Sequence, residues 1–163
     1  MSSKILFILH LPPPIHGAAM MGKYIQESEL VNSSFDCFCI NLATAGSLSD
    51  IGHISLKKLL KYFFLLKHIS HVVREIRPEL VYITPNAGGK AFFKDFIVVQ
   101  MLKSMGCKVI AHYHNKGVSV YQSKWVYNFF YKRFFSNLKV ILLAENLYKD
   151  IAKYVKREDV YIC

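Results

Sequence analysis

The sequence predicts a doubly wound α/β fold, a parallel β-sheet with helices on both faces. Two observations point there first. Short apolar runs alternate with helix-length stretches along the chain, and each crossover is long enough to return the next strand parallel to the last. A third is the balance of residues: 53% hydrophobic and 20% charged over 163 residues, enough for one domain with a packed core and too apolar for a disordered chain.

The elements follow in order. Residues 4–11 are an apolar run of the kind a buried parallel strand shows. Residues 18–30 read as a helix and 35–42 as a second strand. Residues 43–54, with Gly46, Ser47, Ser49, Asp50 and Gly52, read as a loop. A long helix is expected over 55–77. Ser55 is placed to cap it, Leu56, Leu59, Leu60, Phe63, Leu66, Val73 and Ile76 form one apolar stripe, and Pro78 stops it. "ELVYIT" is the third strand, 91–105 a helix ending at Gly106, and "CKVIAHYH" the fourth strand. An aromatic helix over 120–135, the strand "KVILLA", a helix over 145–155 and a sixth strand beginning at "DVYIC" complete the series.

In such folds functional groups gather where strands end and helices begin. That brings four loops to one edge: 10–17, 43–54, 84–90 and 112–117. Pro12, Pro13 and Pro14 hold the first loop extended, because each fixes φ. Gly17 then opens a helix with no side chain between backbone and ligand, and the helix N-terminus offers N–H groups to a phosphate. A stiff connector with a turn glycine has the same signature.

The net charge of +10, from 21 Lys and Arg against 11 Asp and Glu, favours anionic partners. No helix-turn-helix, zinc-finger or RNP-like aromatic motif points to nucleic acid. Cys37, Cys39, Cys107 and Cys163 form no C-x-x-C pair, which fits reduced thiols and a cytoplasmic location. "KILFILHL" is too short for a signal peptide, and no run of about 18 apolar residues is present to cross a membrane. His112 and His114 alternate along a strand and face one side, but a metal site needs a third ligand that local spacing does not supply, so no metal or other cofactor is expected.

Four stretches carry a resemblance: "KILFILHLPPPIHGAAMMGKYI", "RPELVYITPN", "KVIAHYHNKG" and "VILLAENLYKDI". In order and spacing they resemble the N-terminal half of family-4 glycosyltransferases with the GT-B fold, over essentially the whole chain. The resemblance implies a Rossmann-like, acceptor-side domain over residues 1–163, with the donor-binding C-terminal domain absent from this chain. It implies transfer of a sugar, with retention and without a metal, from a nucleotide-diphosphate sugar to a glycan or lipid-linked acceptor in surface polysaccharide synthesis. These residues alone are then expected to be inactive.

By that resemblance Gly17 lies where backbone approaches the donor diphosphate. His16 replaces a second glycine found in many members, and its ring either faces the cleft or stands in solvent. His114, at the strand's end, would contact the transferred sugar as the catalytic-site histidine; a backbone-bonded histidine is the plainer alternative. Asn115 stands where many relatives carry Asp and cannot act as a base. Asn86 suits sugar hydroxyls and equally suits a turn. Lys90 and Lys116 would meet acceptor phosphate or remain solvated. Glu145 opens a helix, where its charge favours the dipole.

Most aromatics of 120–135 are expected in the core, with a minority beside Lys124, Lys132 and Arg133 as a membrane-surface patch. The rival to an enzyme is therefore a non-catalytic basic module on an anionic membrane. The expected location is the cytoplasm, with peripheral contact at the inner membrane face left open.

Overall fold

A computed structural model describes residues 2–13, 15, 17–42 and 56–163. The expected loop 43–54, the Ser55 cap, Pro14 and His16 lie outside the described residues. Six strands form one parallel sheet flanked by helices, in the order β2-β1-β3-β4-β5-β6. The predicted fold class is the observed one. The chain divides into two compact units, Met1–Tyr82 and Ile83–Cys163.

The first unit contains β1 (Lys4–Leu9), α1 (Gly17–Gln26), α2 (Glu29–Ser34), β2 (Asp36–Asn41), α3 (Leu56–Ile76) and most of β3 (Leu80–Ile83). Every residue of β1 after Lys4 is buried, so the strand reads as one apolar run. It pairs with β2 in parallel register from Lys4↔Asp36 to Leu9↔Asn41, and Phe7 packs on Tyr82 with ring centroids 5.3 Å apart. The chain moves from β1 out to β2 and back past β1 to β3. Right-handed crossovers therefore place α1 and α3 on opposite faces.

Three local expectations change here. The chain bends at Pro12 and Pro13 instead of staying extended, and the peptide between them is cis. The single helix expected over 18–30 ends at Gln26, because the Ser28 side chain accepts the Val31 N–H at 3.4 Å and starts α2. In α3, Val73 is buried as expected and Ile69, outside the proposed stripe, is buried too, but Leu56, Leu59, Leu60 and Phe63 of that stripe are exposed. A 21-residue helix with large apolar residues on most sides has more than one stripe, and the buried one passes through Ile69 and Val73.

The second unit contains α4 (Gly89–Ser104), β4 (Val109–Tyr113), α5 (Val118–Tyr121), α6 (Trp125–Phe135), β5 (Lys139–Leu142), α7 (Tyr148–Ile151) and β6 (Val160–Ile162). The expected helix 120–135 is two helices, α5 and α6. The helix expected over 145–155 is a 3-10 turn, Glu145–Leu147, followed by the single turn of α7.

Helices α4 and α6 meet through aromatic rings: Phe92 lies 4.7 Å from Tyr131 and 5.5 Å from Phe134, and Phe96 lies 4.8 Å from Phe130, centroid to centroid. Lys103 of α4 donates to the carbonyls of Phe134 and Ser136, each at 2.6 Å, and so caps the end of α6. Most of the α6 aromatics serve this core; Trp125 and Phe129 are exposed. On the sheet, Val109, Ala111, Tyr113, Val140, Leu142 and Val160 are buried on one face. His112 shares the other face with Ile141, its partner in register, and with Tyr161, the partner of Ile141.

Candidate functional site

In the second unit the C-terminal strand edge carries two loops, 84–88 after β3 and 114–117 after β4, on neighbouring strands. Side chains from the helices behind hold both loops. In the first, Pro85 has no N–H to satisfy. The Asn86 backbone N–H and its Nδ2 both donate to Asp95 Oδ2, each at 2.8 Å. The hydroxyl of Tyr131 donates to the Ala87 carbonyl. Gly88 follows under the Tyr121 ring, so closely that a Cβ there would stand 2.2 Å from a ring carbon. Burial pushes the Asp95 carboxyl up to about 6, while the two Asn86 donors pull it down.

In the second loop, Asp150 of α7 accepts the N–H groups of Gly117 and Val118 at 2.9 Å and of Ser119 at 3.0 Å, together with the Ser119 hydroxyl. Burial favours a protonated Asp150, but these donors outweigh it and hold the carboxyl below its ordinary value. The N-terminus of α5 is thus already filled by a carboxylate and offers no place for a ligand phosphate.

His114 stands where β4 gives way to this loop. Both ring nitrogens are buried and have no hydrogen-bond partner. Its ring lies 4.1 Å from that of His112, centroid to centroid, so the two histidines share one face, as their alternation predicted. His112 is buried, and its Nε2 lies 3.4 Å from Cys163 Sγ. Burial, with His114 adding to it, pulls the His112 ring down to about 4; burial lowers His114 as well. Both are therefore neutral at neutral pH. A neutral imidazole presents one donor and one acceptor, which matches a hydroxyl better than an anion. Thr84, the first residue past β3, also has a buried hydroxyl without a partner.

Asn86 is oriented by Asp95, so its amino group is committed within the protein. Lys90 is exposed in the first turn of α4, and Asn115 and Lys116 are exposed on the loop after His114. These four sequence candidates, with His114, belong to the same strand edge of the second unit. Gly17 is the first residue of α1 in the first unit, and nothing lies within 4 Å of where its Cβ would be. The glycine that packing demands is Gly22, where a Cβ would stand 2.1 Å from the His10 carbonyl oxygen. Glu145 pairs with Arg157, at 2.7 Å and 2.9 Å.

Sequence reasoning missed Thr84, Asp95, Asp150 and Gly22. Asp95 had a signal: it falls on the helix face of Phe92, Val99 and Leu102, where a lone carboxylate needs a partner. Asp150 had none, since the groups it binds lie more than 30 residues away. Among the described residues no group of three or more His, Cys, Asp or Glu is arranged to hold a metal, and no helix is long and apolar enough to cross a membrane. Comparison with known proteins finds no matching family model, no matching curated protein and no matching solved structure.

Proposed function

We propose that the chain is the acceptor-side half of a glycosyltransferase that moves a sugar from a nucleotide-diphosphate sugar to a glycan or lipid-linked acceptor. The observation that carries this is His114: a neutral imidazole at the C-terminal strand edge with both nitrogens buried and unpartnered. Leaving buried polar atoms unsatisfied costs about 1–3 kcal/mol each, and a ligand hydroxyl is the group that would relieve it. The loops on either side are held by Asp95, Tyr131 and Asp150, which suits a site that works by positioning. Exposed Lys90 and Lys116 at the same strand edge suit a phosphorylated or diphosphate-linked acceptor.

On this reading the donor is gripped mainly by a second Rossmann-like half. A panel of radiolabelled sugar nucleotides, incubated with the full-length gene product and membrane lipid extract, tests it. Label passing from one sugar nucleotide into a glycan or lipid fraction is the expected result. No transfer from any common donor would count against the reading.

A further inference from the structure

Helix α3 has two apolar faces. The inner one runs through half-buried Tyr62, Leu65 and Leu66 to buried Ile69 and Val73. The outer one is formed by Leu56, Leu59, Leu60, Phe63 and Phe64, which are between 51% and 74% exposed. At 100° per residue these five fall on one outward strip, spaced i, i+3, i+4, i+7 and i+8. Lys57, Lys61 and His68 flank the strip on one side, and Lys67 lies within it, its Nζ 4.7 Å over the Phe63 ring. From Ile51 to Arg74 the sequence contains no acidic residue. Five adjoining large apolar side chains turned to water are costly for a helix that is otherwise anchored to its own core.

We propose that this outer face of α3 docks on an anionic lipid surface. The charge pattern selects that occupant. Lysines bordering leucines and phenylalanines let the rings and branched chains enter the acyl boundary while the ammonium groups stay among lipid phosphates. The net charge of +10 adds a long-range attraction to the same surface. The aromatic patch expected on α6 is smaller: most of its rings are committed to the α4 contact, leaving Trp125 and Phe129 exposed. The docking face uses neither His114 nor any loop of the candidate site, so it stands or falls apart from the transferase reading.

Flotation with lipid vesicles tests the proposal, using neutral phosphatidylcholine vesicles and vesicles containing about one-third phosphatidylglycerol. Binding to the anionic vesicles that weakens with added salt is expected. The exposed double variant Leu60→Ser/Phe64→Ser is expected to lose more than tenfold in binding. Lys57→Gln and Lys61→Gln should each lose about fivefold, the equivalent of about 1 kcal/mol per lysine near the surface. Trp125→Ser/Phe129→Ser on α6 should bind as the wild type does. Circular dichroism checks that each variant is folded. Three results would overturn the proposal: no binding to anionic vesicles, a folded α3 double variant that binds like the wild type, or a dimer in solution that the α3 variant abolishes, which would assign the face to a second copy of the chain.

Discussion

Asp95 holds Asn86 through a single oxygen: the Asn86 backbone N–H and its side-chain Nδ2 both donate to Asp95 Oδ2, each at 2.8 Å. The carboxylate belongs to α4 and the asparagine to the loop that opens the same helix, so the helix fixes its own entry loop. The arrangement carries a cost at neutral pH, because burial raises the carboxyl from 3.8 to about 6.

Asp95 favours the folded state fully below about pH 3.8, and that contribution, about 3 kcal/mol, is lost as pH rises through 6. Asp95→Asn keeps an oxygen to accept both donors and carries no charge. Urea midpoints should show the variant gaining on the wild type as pH rises from 4 to 7. A constant difference over that range would contradict the account. His112 acts in the opposite sense: its contribution is full above its ordinary 6.5 and is lost as pH falls through about 4.

Two glycines of α1 should behave differently. At Gly22 a Cβ meets the His10 backbone oxygen, which cannot swing aside as a side chain tip can. Gly22→Ala is therefore expected to cost about 1–3 kcal/mol, read by thermal unfolding. Gly17→Ala, with open space around it, should leave the melting temperature unchanged or slightly raised. If Gly17→Ala melts as early as Gly22→Ala, the packing account of α1 is wrong.

The loop after β4 depends on Asp150. Asp150→Ala strands three backbone N–H groups, two of them on the buried residues Gly117 and Val118. A loss of about 3 kcal/mol or more is expected, and Asp150→Asn should lose less. Hydrogen exchange at Gly117, Val118 and Ser119 should speed up before the rest of the unit. Unchanged protection at those three amides in Asp150→Ala would contradict the assignment. Because its carboxyl lies below the ordinary value, Asp150 contributes stability above pH 3.8 that is lost as pH falls through its folded value.

The order of strands and helices was legible because buried parallel strands need near-continuous apolar runs, and "KILFIL", "LVYI", "VIAHY" and "KVIL" supply them between helix-length stretches. That His112 and His114 share a face followed from the two-residue period of a strand. Two kinds of information were not legible. Periodicity alone does not say which stripe of α3 faces inward when Leu and Phe occupy most of its circumference. Nor do local motifs reveal contacts made across long sequence separations, such as Asp150 with Gly117 or Tyr131 with Ala87. Those contacts hold the loops on either side of His114, so the support of the candidate site came only from the fold.

One measurement reaches the role of His114 most directly: the rate of sugar transfer by the full-length gene product carrying His114→Ala, beside the wild type and His114→Gln. The imidazole contributes no hydrogen bond within the protein, so the alanine variant should melt close to the wild type. Its transfer rate should fall about five- to tenfold, the loss of one neutral hydrogen bond to substrate, roughly 1–1.5 kcal/mol. Glutamine, which also offers a donor and an acceptor, should restore part of that rate. A folded His114→Ala protein that transfers sugar within about twofold of the wild type would contradict the account.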